Sequence, residues 1–265
     1  MTRVAGDLVV IRGAGDLATG VIVRLTRAGY RVVALEVPEP SAIRRTVSLS
    51  EAVYDGEAEV EGVRARRCAE LPRAWAPGDP VAVLVDPGMD LLAHVRPAAL
   101  VDAIIAKRNL GTRIDLAPVV VALGPGFQAG LDCHAVIETN RGHDLGRVLL
   151  AGAAEPDTGI PGLIAGQGAA RVIHAEAEGS VEARTAIGDT VKAGDPVLAV
   201  GGVVHVSAID GTVRGLIREG FRARRGLKVA DVDPRCVRAH CFSVSDKARA
   251  IAGGVLEALL ALGAP

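Results

Sequence analysis

Aromatic residues are scarce in this chain: three Phe, two Tyr and one Trp make up 2% of its 265 residues. Proteins that hold single-stranded nucleic acid stack bases on aromatic faces, and there is little material here for such a platform. A net charge of −1 also withholds the basic surface that a nucleic-acid binder needs. Nucleic acid is therefore not an expected partner. Lysine is sparse as well, and arginine supplies most of the positive charge. The four cysteines, Cys68, Cys133, Cys236 and Cys241, do not make a disulfide framework for a chain of this length. No apolar run reaches the roughly 18 residues of a membrane span. The opening MTRVAGDLVV lacks a signal-peptide pattern, its apolar strand being too short. These absences predict a protein of the reducing cytoplasm with no membrane partner. What is plentiful is apolar residue, 49% of the chain, enough for one large domain or two ordinary ones.

The stretch Leu8 to Gly20, LVVIRGAGDLATG, organises the first half. A β-rich apolar run meets Gly13 and Gly15, and from Asp16 the pattern turns helical, with Leu17, Val21 and Leu25 on one face and Gly29 as the stop. Strand, glycine turn and helix in that order form the first unit of a dinucleotide-binding fold, in which N–H groups at the helix start hold a phosphate. Tyr30 to Glu36 reads as the second strand, ending in an acidic residue about 20 positions beyond the turn, where a ribose hydroxyl sits. Two details depart from a plain NAD site. Ala18 stands where the motif has its third glycine, and Asp16 puts a carboxylate where the pyrophosphate lies, unless a cation bridges the two or the side chain caps the helix. A turn that is only a turn is the competing reading.

Further along, Pro38 and Pro40 mark a loop in which Arg44 and Arg45 follow the second strand, either as readers of a ligand phosphate or as surface arginines. Glu57 to Arg67 reads as a strand pair, and Val81 to Val85 as a buried strand ending at Asp86, a ligand-edge position or a loop cap. The spacing of Leu100, Ile104 and Ile105 predicts a helix over 97–106. Lys107 to Thr112 is a polar loop and Pro118 to Leu123 a further buried strand. Alternation of strands and helices argues for a parallel sheet.

Residues 124–147, GPGFQAGLDCHAVIETNRGHDLGR, are the densest polar stretch. Gly124 and Gly126 directly follow a strand and can line a pocket with backbone. Cys133, His134 and His143 offer soft and imidazole metal ligands, or a thiolate with a nearby base, and are the candidate catalytic residues. Their spacing matches no zinc rule, so the metal content is left unknown. Thr139 and Arg141 could instead hold an anion. The ligand-binding candidates are thus Gly13, Gly15, Asp16, Glu36, Arg44, Arg45, Asp86, Gly124, Gly126, Thr139 and Arg141.

The C-terminal third hides a repeat. Residues 179–200 and 211–232 superpose at a constant offset of 32, with Gly179, Gly188, Gly194, Val197 and Val200 matching Gly211, Gly220, Gly226, Val229 and Val232. Two such β units bury a shared core only when paired. The pattern resembles the biotinyl/lipoyl-type barrel-sandwich, but its hairpin, residues 201–206, has no lysine for a swinging arm. His205 stands there instead and reads as structural. Covalent lipoyl or biotin attachment is therefore rejected, and the module reads as a docking or lid domain. Arg214, Arg218, Arg222, Arg224, Arg225 and Lys228 form a basic patch, read as a solvated face or a contact for an anionic partner. Cys236, His240 and Cys241 lie close together but lack a fourth ligand, so ordinary thiols are expected. Ser245 caps a final helix with Ala248, Ile251, Val255, Leu259 and Leu262 as its apolar stripe. The fold expected is α/β: a Rossmann-like parallel-sheet domain over 1–150, a linker over 151–170, a barrel-sandwich-like domain over 171–235, and a segment 236–265 whose helix packs back on the first domain.

RGAGDLATG, PSAIRRTVSLSEAVYDG, AKRNLGT, ALGPGFQAGLDCHAVIETNRGH, DTGIPG, KVADVDPR and SDKARAIAGGVLEAL together are far more specific than any glycine motif. In these phrases, across nearly its whole length, the chain resembles the YqeB-type family of accessory proteins of selenium-dependent molybdenum hydroxylases. More distantly it is similar to XdhC-type chaperones, which carry molybdenum cofactor and have a Rossmann-like domain. The resemblance implies a maturation role, a molybdopterin-type dinucleotide as ligand and a molybdenum hydroxylase apoenzyme as partner. It carries over no catalytic residues. An NAD(P)-dependent oxidoreductase is the alternative, and sulfur or selenium transfer through Cys133 a third reading. A homodimer is the base-rate expectation.

Overall fold

Five buried residues, Leu8–Arg12, form β1 at the centre of a nine-stranded sheet. The structure is a computed structural model and describes residues 8–159 and 162–264. In chain order β1 is followed by α1 (Asp16–Arg27), β2 (Arg31–Glu36), the short α2 (Ala52–Asp55), β3 (Glu57–Val60), β4 (Val63–Cys68), β5 (Val81–Val85), β6 (Ala99–Asp102), β7 (Val119–Leu123), β8 (Ala135–Ile137) and β9 (Val148–Leu149). The sheet order is β3-β4-β5-β2-β1-β6-β7-β8-β9. The β3–β4 and β8–β9 pairs are antiparallel and every other pair is parallel. Numbered among themselves in chain order, the six strands from β5 to β8 run 3-2-1-4-5-6, the order of doubly wound dinucleotide-binding sheets. The reversal of direction falls between β1 and β6. Apolar runs such as LVVI and VVVAL are continuous rather than alternating because both faces of these strands are buried.

The helix predicted over 97–106 is not there. Ala99–Asp102 is instead β6, fully buried between β1 and β7, with Val9 opposite Ala99 and Ala99 opposite Val119. A four-residue apolar run does not distinguish strand from buried helix. Two flanking strands with unpaired edges decided it, and Ile105, at φ +52°, breaks any helical continuation. The expected alternation of helix and strand fails further on as well. The β5–β6 and β6–β7 connections carry only single 3₁₀ turns, Asp90–Ala93 and Ile114–Leu116. Helical cover comes from α1 and from α3 (Asp246–Ala261), which packs on α1, β7, β8 and β9. Ser245 caps α3 by accepting the Ala248 N–H at 3.1 Å. A Cβ on Gly20 would come within 2.8 Å of the Ala248 methyl, so the two helices meet backbone to backbone.

The chain divides into two units. The one built on the nine-stranded sheet takes in the chain up to Pro40, Ser48–Thr158 and the chain from Val244. The other takes in Ser41–Val47 and Gly159–Ser243, so Arg44 and Arg45 do not belong to the first unit. Ile43 explains this: its carbonyl accepts the Leu216 N–H at 2.7 Å, deep in the second unit.

The second unit consists of β10 (Val172–His174), β11 (Gly179–Ala183), β12 (Thr190–Val191), β13 (Pro196–Val200), β14 (Val203–Val206), β15 (Gly211–Leu216), β16 (Arg222–Ala223) and β17 (Lys228–Asp233). They form two antiparallel four-stranded sheets, β10-β17-β15-β12 and β14-β13-β11-β16. The 32-residue offset governs the architecture: β11, β12 and β13 correspond to β15, β16 and β17, and β10 corresponds to β14. Turn bonds repeat with it. Gly188 N–H to Val213 O matches Gly220 N–H to Val181 O, and Gly194 N–H to Ser207 O matches Gly226 N–H to Ala175 O. Each sheet therefore takes two strands from each copy, and Val181, Val200, Val213 and Val232 meet in one core. Neither copy can bury its apolar face alone. His205, in β14, is buried, and its Nε2 accepts the Glu176 N–H at 2.9 Å.

Sequence symmetry does not extend to the outer faces. A bulge in β15 after Val213 shifts the register by one residue at Arg214. Arg214 is consequently not part of a solvated patch: it is buried, and so are Arg171, Asp231 and Asp233. Asp231 accepts from both Arg171 and Arg214, while Asp233 lies 3.4 Å from Arg214 Nη1 and accepts from Arg235 at 2.6 and 2.9 Å. The corresponding positions in the other copy, Glu182, Ala199 and Gly201, cannot form such a ladder. The chain also covers this face itself. Arg44 donates to the carbonyls of His240 and Ser243, Arg45 to that of Leu216, and the Cys241 thiol rests on the Val213 carbonyl.

Candidate functional site

Parallel strands put all their carboxyl ends on one edge. In the first unit that edge gathers Gly13, Gly15 and Asp16 after β1, Glu36 at the end of β2, Asp86 after β5, Asp102 at the end of β6, Gly124 and Gly126 after β7, and Thr139 and Arg141 after β8. In sheets of this order ligands bind at the carboxyl edge, where the strand order reverses. Here the reversal falls between Gly13 and Asp102.

The glycine turn is held from below. The Gly13 N–H donates to Leu35 O at 2.7 Å, and the Ala14 N–H to Glu36 Oε2 at 2.8 Å. Glu36 Oε1 accepts the Val37 N–H at 2.8 Å. Burial pushes the Glu36 carboxyl up, against the pull of those two N–H groups. Glu36 therefore fixes the turn. Gly13, at φ +100°, needs its glycine for the backbone and sits against the Ala103 carbonyl. Gly15 differs: its φ is −69°, and a Cβ placed on it would meet nothing within 4 Å. No side chain caps α1 at Gly15, and half-buried Asp16 opens its first turn.

Around this turn the edge is built for rigidity. Arg12 and Asp102, both buried, pair at 3.1 Å beneath it, and Thr112 donates to the same Asp102 oxygen at 2.6 Å. The loop after β6 holds Ile105 and Lys107 at φ +52° and +61°, a conformation that β-branched Ile rarely takes. Gly126 lets that loop pass, since its Cβ would lie 2.5 Å from the Arg108 backbone. Gly124 makes room for the Thr139 hydroxyl, 2.5 Å from where a Cβ would stand. Arg12, Asp102 and Thr112 were not among the residues singled out from the sequence. A charged residue closing an apolar strand, as in LVVIR and ALVD, is the signal that could have found the first two.

Other candidates are already committed. Asp86 accepts the N–H groups of Asp90 and Leu91 at 2.8 and 2.9 Å and acts as a loop cap. Arg141 pairs with Asp246 in the first turn of α3 through two bonds of 2.7 and 2.9 Å. Arg44 and Arg45 donate to backbone carbonyls of the second unit. Glu138 anchors the β8 loop by accepting from Asn140 and Glu155.

The three catalytic candidates do not come together as a site. Cys133 and His134 precede β8, whereas Thr139 and Arg141 follow it. The Cys133 thiol is fully buried; burial first, then the charge of Asp132, pushes it up to about 12. A thiol held protonated at neutral pH is a poor nucleophile. His134 uses Nδ1 to accept the Val120 N–H at 3.0 Å, and His143 is exposed in the loop between β8 and β9. Among the described residues no three His, Cys, Asp or Glu side chains are grouped to hold a metal ion. Iodoacetamide at about pH 8 should therefore modify exposed Cys236 quickly and Cys133 only after denaturation, as read by peptide mass spectrometry. Labelling of Cys133 at the Cys236 rate in native protein would restore the thiolate reading.

The fold and this edge define a mixed α/β protein whose large, mostly parallel sheet carries a glycine turn at its strand-order reversal. Over 258 residues the chain is 52% identical to the uncharacterized protein YqeB of Escherichia coli (strain K12), covering 97% of this chain and 48% of YqeB. That identity supports the YqeB family. The chain spans about half the length of the curated relative it matches. No family model matches it, and no solved structure does. Among the described residues no helix is long and apolar enough to cross a membrane.

Proposed function

We propose that the first unit is a Rossmann-like nucleotide-binding domain, and that the protein is an accessory factor binding a molybdopterin-type dinucleotide for delivery to a molybdenum hydroxylase. Gly15 carries the nucleotide part of this reading. Its backbone angles suit any residue and its surroundings are open, so nothing in the fold calls for glycine there. A ligand lying against the first turn of α1 does call for it, because a side chain would fill the space the phosphate takes. The Glu36 carboxyl at the end of β2 suits the ribose, and the buried Arg12–Asp102 pair keeps the edge preorganised. The resemblance in RGAGDLATG, AKRNLGT and ALGPGFQAGLDCHAVIETNRGH supports the maturation role. The second unit, with its interlocked sheets and no lysine in the β13–β14 hairpin, serves in this reading as a barrel-sandwich docking module for the apoenzyme. Molybdenum is cargo in this scheme rather than a resident metal.

The test is Gly15→Val in protein purified from a host that makes molybdenum cofactor. The variant should keep wild-type helix content and melting temperature. Wild type should release a pterin or cytidine nucleotide at near-stoichiometric level by mass spectrometry, and the variant less than a tenth of that. Equal ligand in both proteins sinks the assignment to the glycine turn. The strand order favours one other reading, an NAD(P)-dependent oxidoreductase, and release of NAD or NADP would select it.

A further inference from the structure

At the far end of α1, about 18 Å from the glycine turn by helix rise, a cleft opens among residues of the first unit that include Arg24, Arg27, Glu61 and Arg249. Three guanidiniums and one carboxylate line it, and two of the guanidiniums pair with that carboxylate. Glu61 Oε1 accepts from Arg249 at 2.7 Å and from the Val244 N–H at 2.9 Å, and its Oε2 lies 3.4 Å from Arg27. Arg24 makes a single long bond, 3.4 Å to the Arg249 carbonyl. The cleft therefore keeps a charge of about +2 after Glu61 is counted.

Two residues here are unfavourable choices locally. Glu61 holds φ +48° at the first position of the two-residue β3–β4 hairpin, where Gly, Asn or Asp is preferred. Arg249 puts a cation near the start of α3, the positive end of the helix dipole. Each alone would be a minor cost, but they converge on one cleft, and departures of this kind collect where a site is being built. The Glu61 carboxylate also orders two of the three guanidiniums in advance.

We propose that this cleft is a second anion site, taking a phosphate-class dianion among Arg24, Arg27 and Arg249. A dianion matches the residual charge, and several guanidinium forks can bond its oxygens at once. Glu61 acts as a positioning residue and as a partial brake on affinity.

The experiment is calorimetric titration of the full chain with inorganic phosphate at constant ionic strength. Wild type should show saturable binding that weakens about tenfold in Arg24→Ala. Arg24 is exposed and weakly bonded, so that variant should fold normally. Glu61→Gln, which keeps an acceptor for the Val244 N–H, should bind more tightly than wild type. Gly15→Val should retain this binding, which separates the cleft from the glycine turn. Unchanged affinity in Arg24→Ala, or loss of all phosphate binding in Gly15→Val, overturns the proposal, as does absence of saturable binding in wild type.

Discussion

Asp231→Ala should lower the unfolding free energy by about 3–5 kcal/mol, because removing one partner leaves buried charge uncompensated. Asp231 is 1% exposed and is shared by two guanidiniums that are themselves buried. Without it, Arg171 and Arg214 lose the carboxylate they share, and Asp233 stands 3.4 Å from Arg214 alone. Replacing the triad, Arg171→Met with Asp231→Leu and Arg214→Met, should recover much of the loss, since Asp233 keeps its bonds from Arg235 and well-packed apolar residues often substitute for buried ion pairs. Urea unfolding of the full chain measures both, and amide exchange at residues 229–232 shows whether the damage is local. A loss under about 1 kcal/mol for the single variant would mean that water reaches the ladder. The same ladder sets an acid dependence. Burial pushes the Asp233 carboxyl up, but the Arg235 hydrogen bonds and the charge of Arg214 outweigh it and bring it down to about 2. A carboxylate with a depressed folded value stabilises fully above its ordinary value of 3.8, and that contribution is lost as pH falls toward 2.

Gly253→Ala and Gly254→Ala should change stability in opposite directions although the residues are neighbours in one helix. Both lie inside α3, where alanine has the better helix propensity by about 1 kcal/mol. A Cβ on Gly253 meets nothing within 4 Å, so that variant should gain about 0.5–1 kcal/mol. A Cβ on Gly254 would overlap the Gly146 carbonyl oxygen and lie 3.0 Å from an Ile137 methyl. Backbone cannot rotate aside as a side chain can, so α3 would have to move off the β8–β9 loop, at a cost of about 2–4 kcal/mol. Gly146 faces α3 in the same way, its own Cβ position lying 2.6 Å from the Ala250 carbonyl. Thermal unfolding of the two variants against wild type decides the matter. A stabilised Gly254→Ala would mean that α3 does not seat on that loop.

The sequence by itself determined the elements that rest on local chemistry. The strand–glycine turn–helix over 8–27, the Glu57 to Arg67 strand pair, the Ser245 cap and the 32-residue repeat are properties of spacing, turn residues and side-chain hydrogen bonding along a short stretch. The repeat was legible because two copies of one β unit need the same glycines at the same turns. Only the tertiary structure decided that Ala99–Asp102 is a strand, because its identity depends on two neighbours, β1 and β7, that are distant in sequence. It also decided which charged residues remain available. Arg44, Arg45, Arg141 and Arg214 read alike as surface or ligand-facing groups, yet each has its partner in a part of the chain that only the fold brings near. Gly15 and Gly254 show the same limit. Both are glycines at the start of or within a helix, and nothing in the sequence separates one with open space beside it from one pressed against a carbonyl, because steric contact is a property of the packed chain.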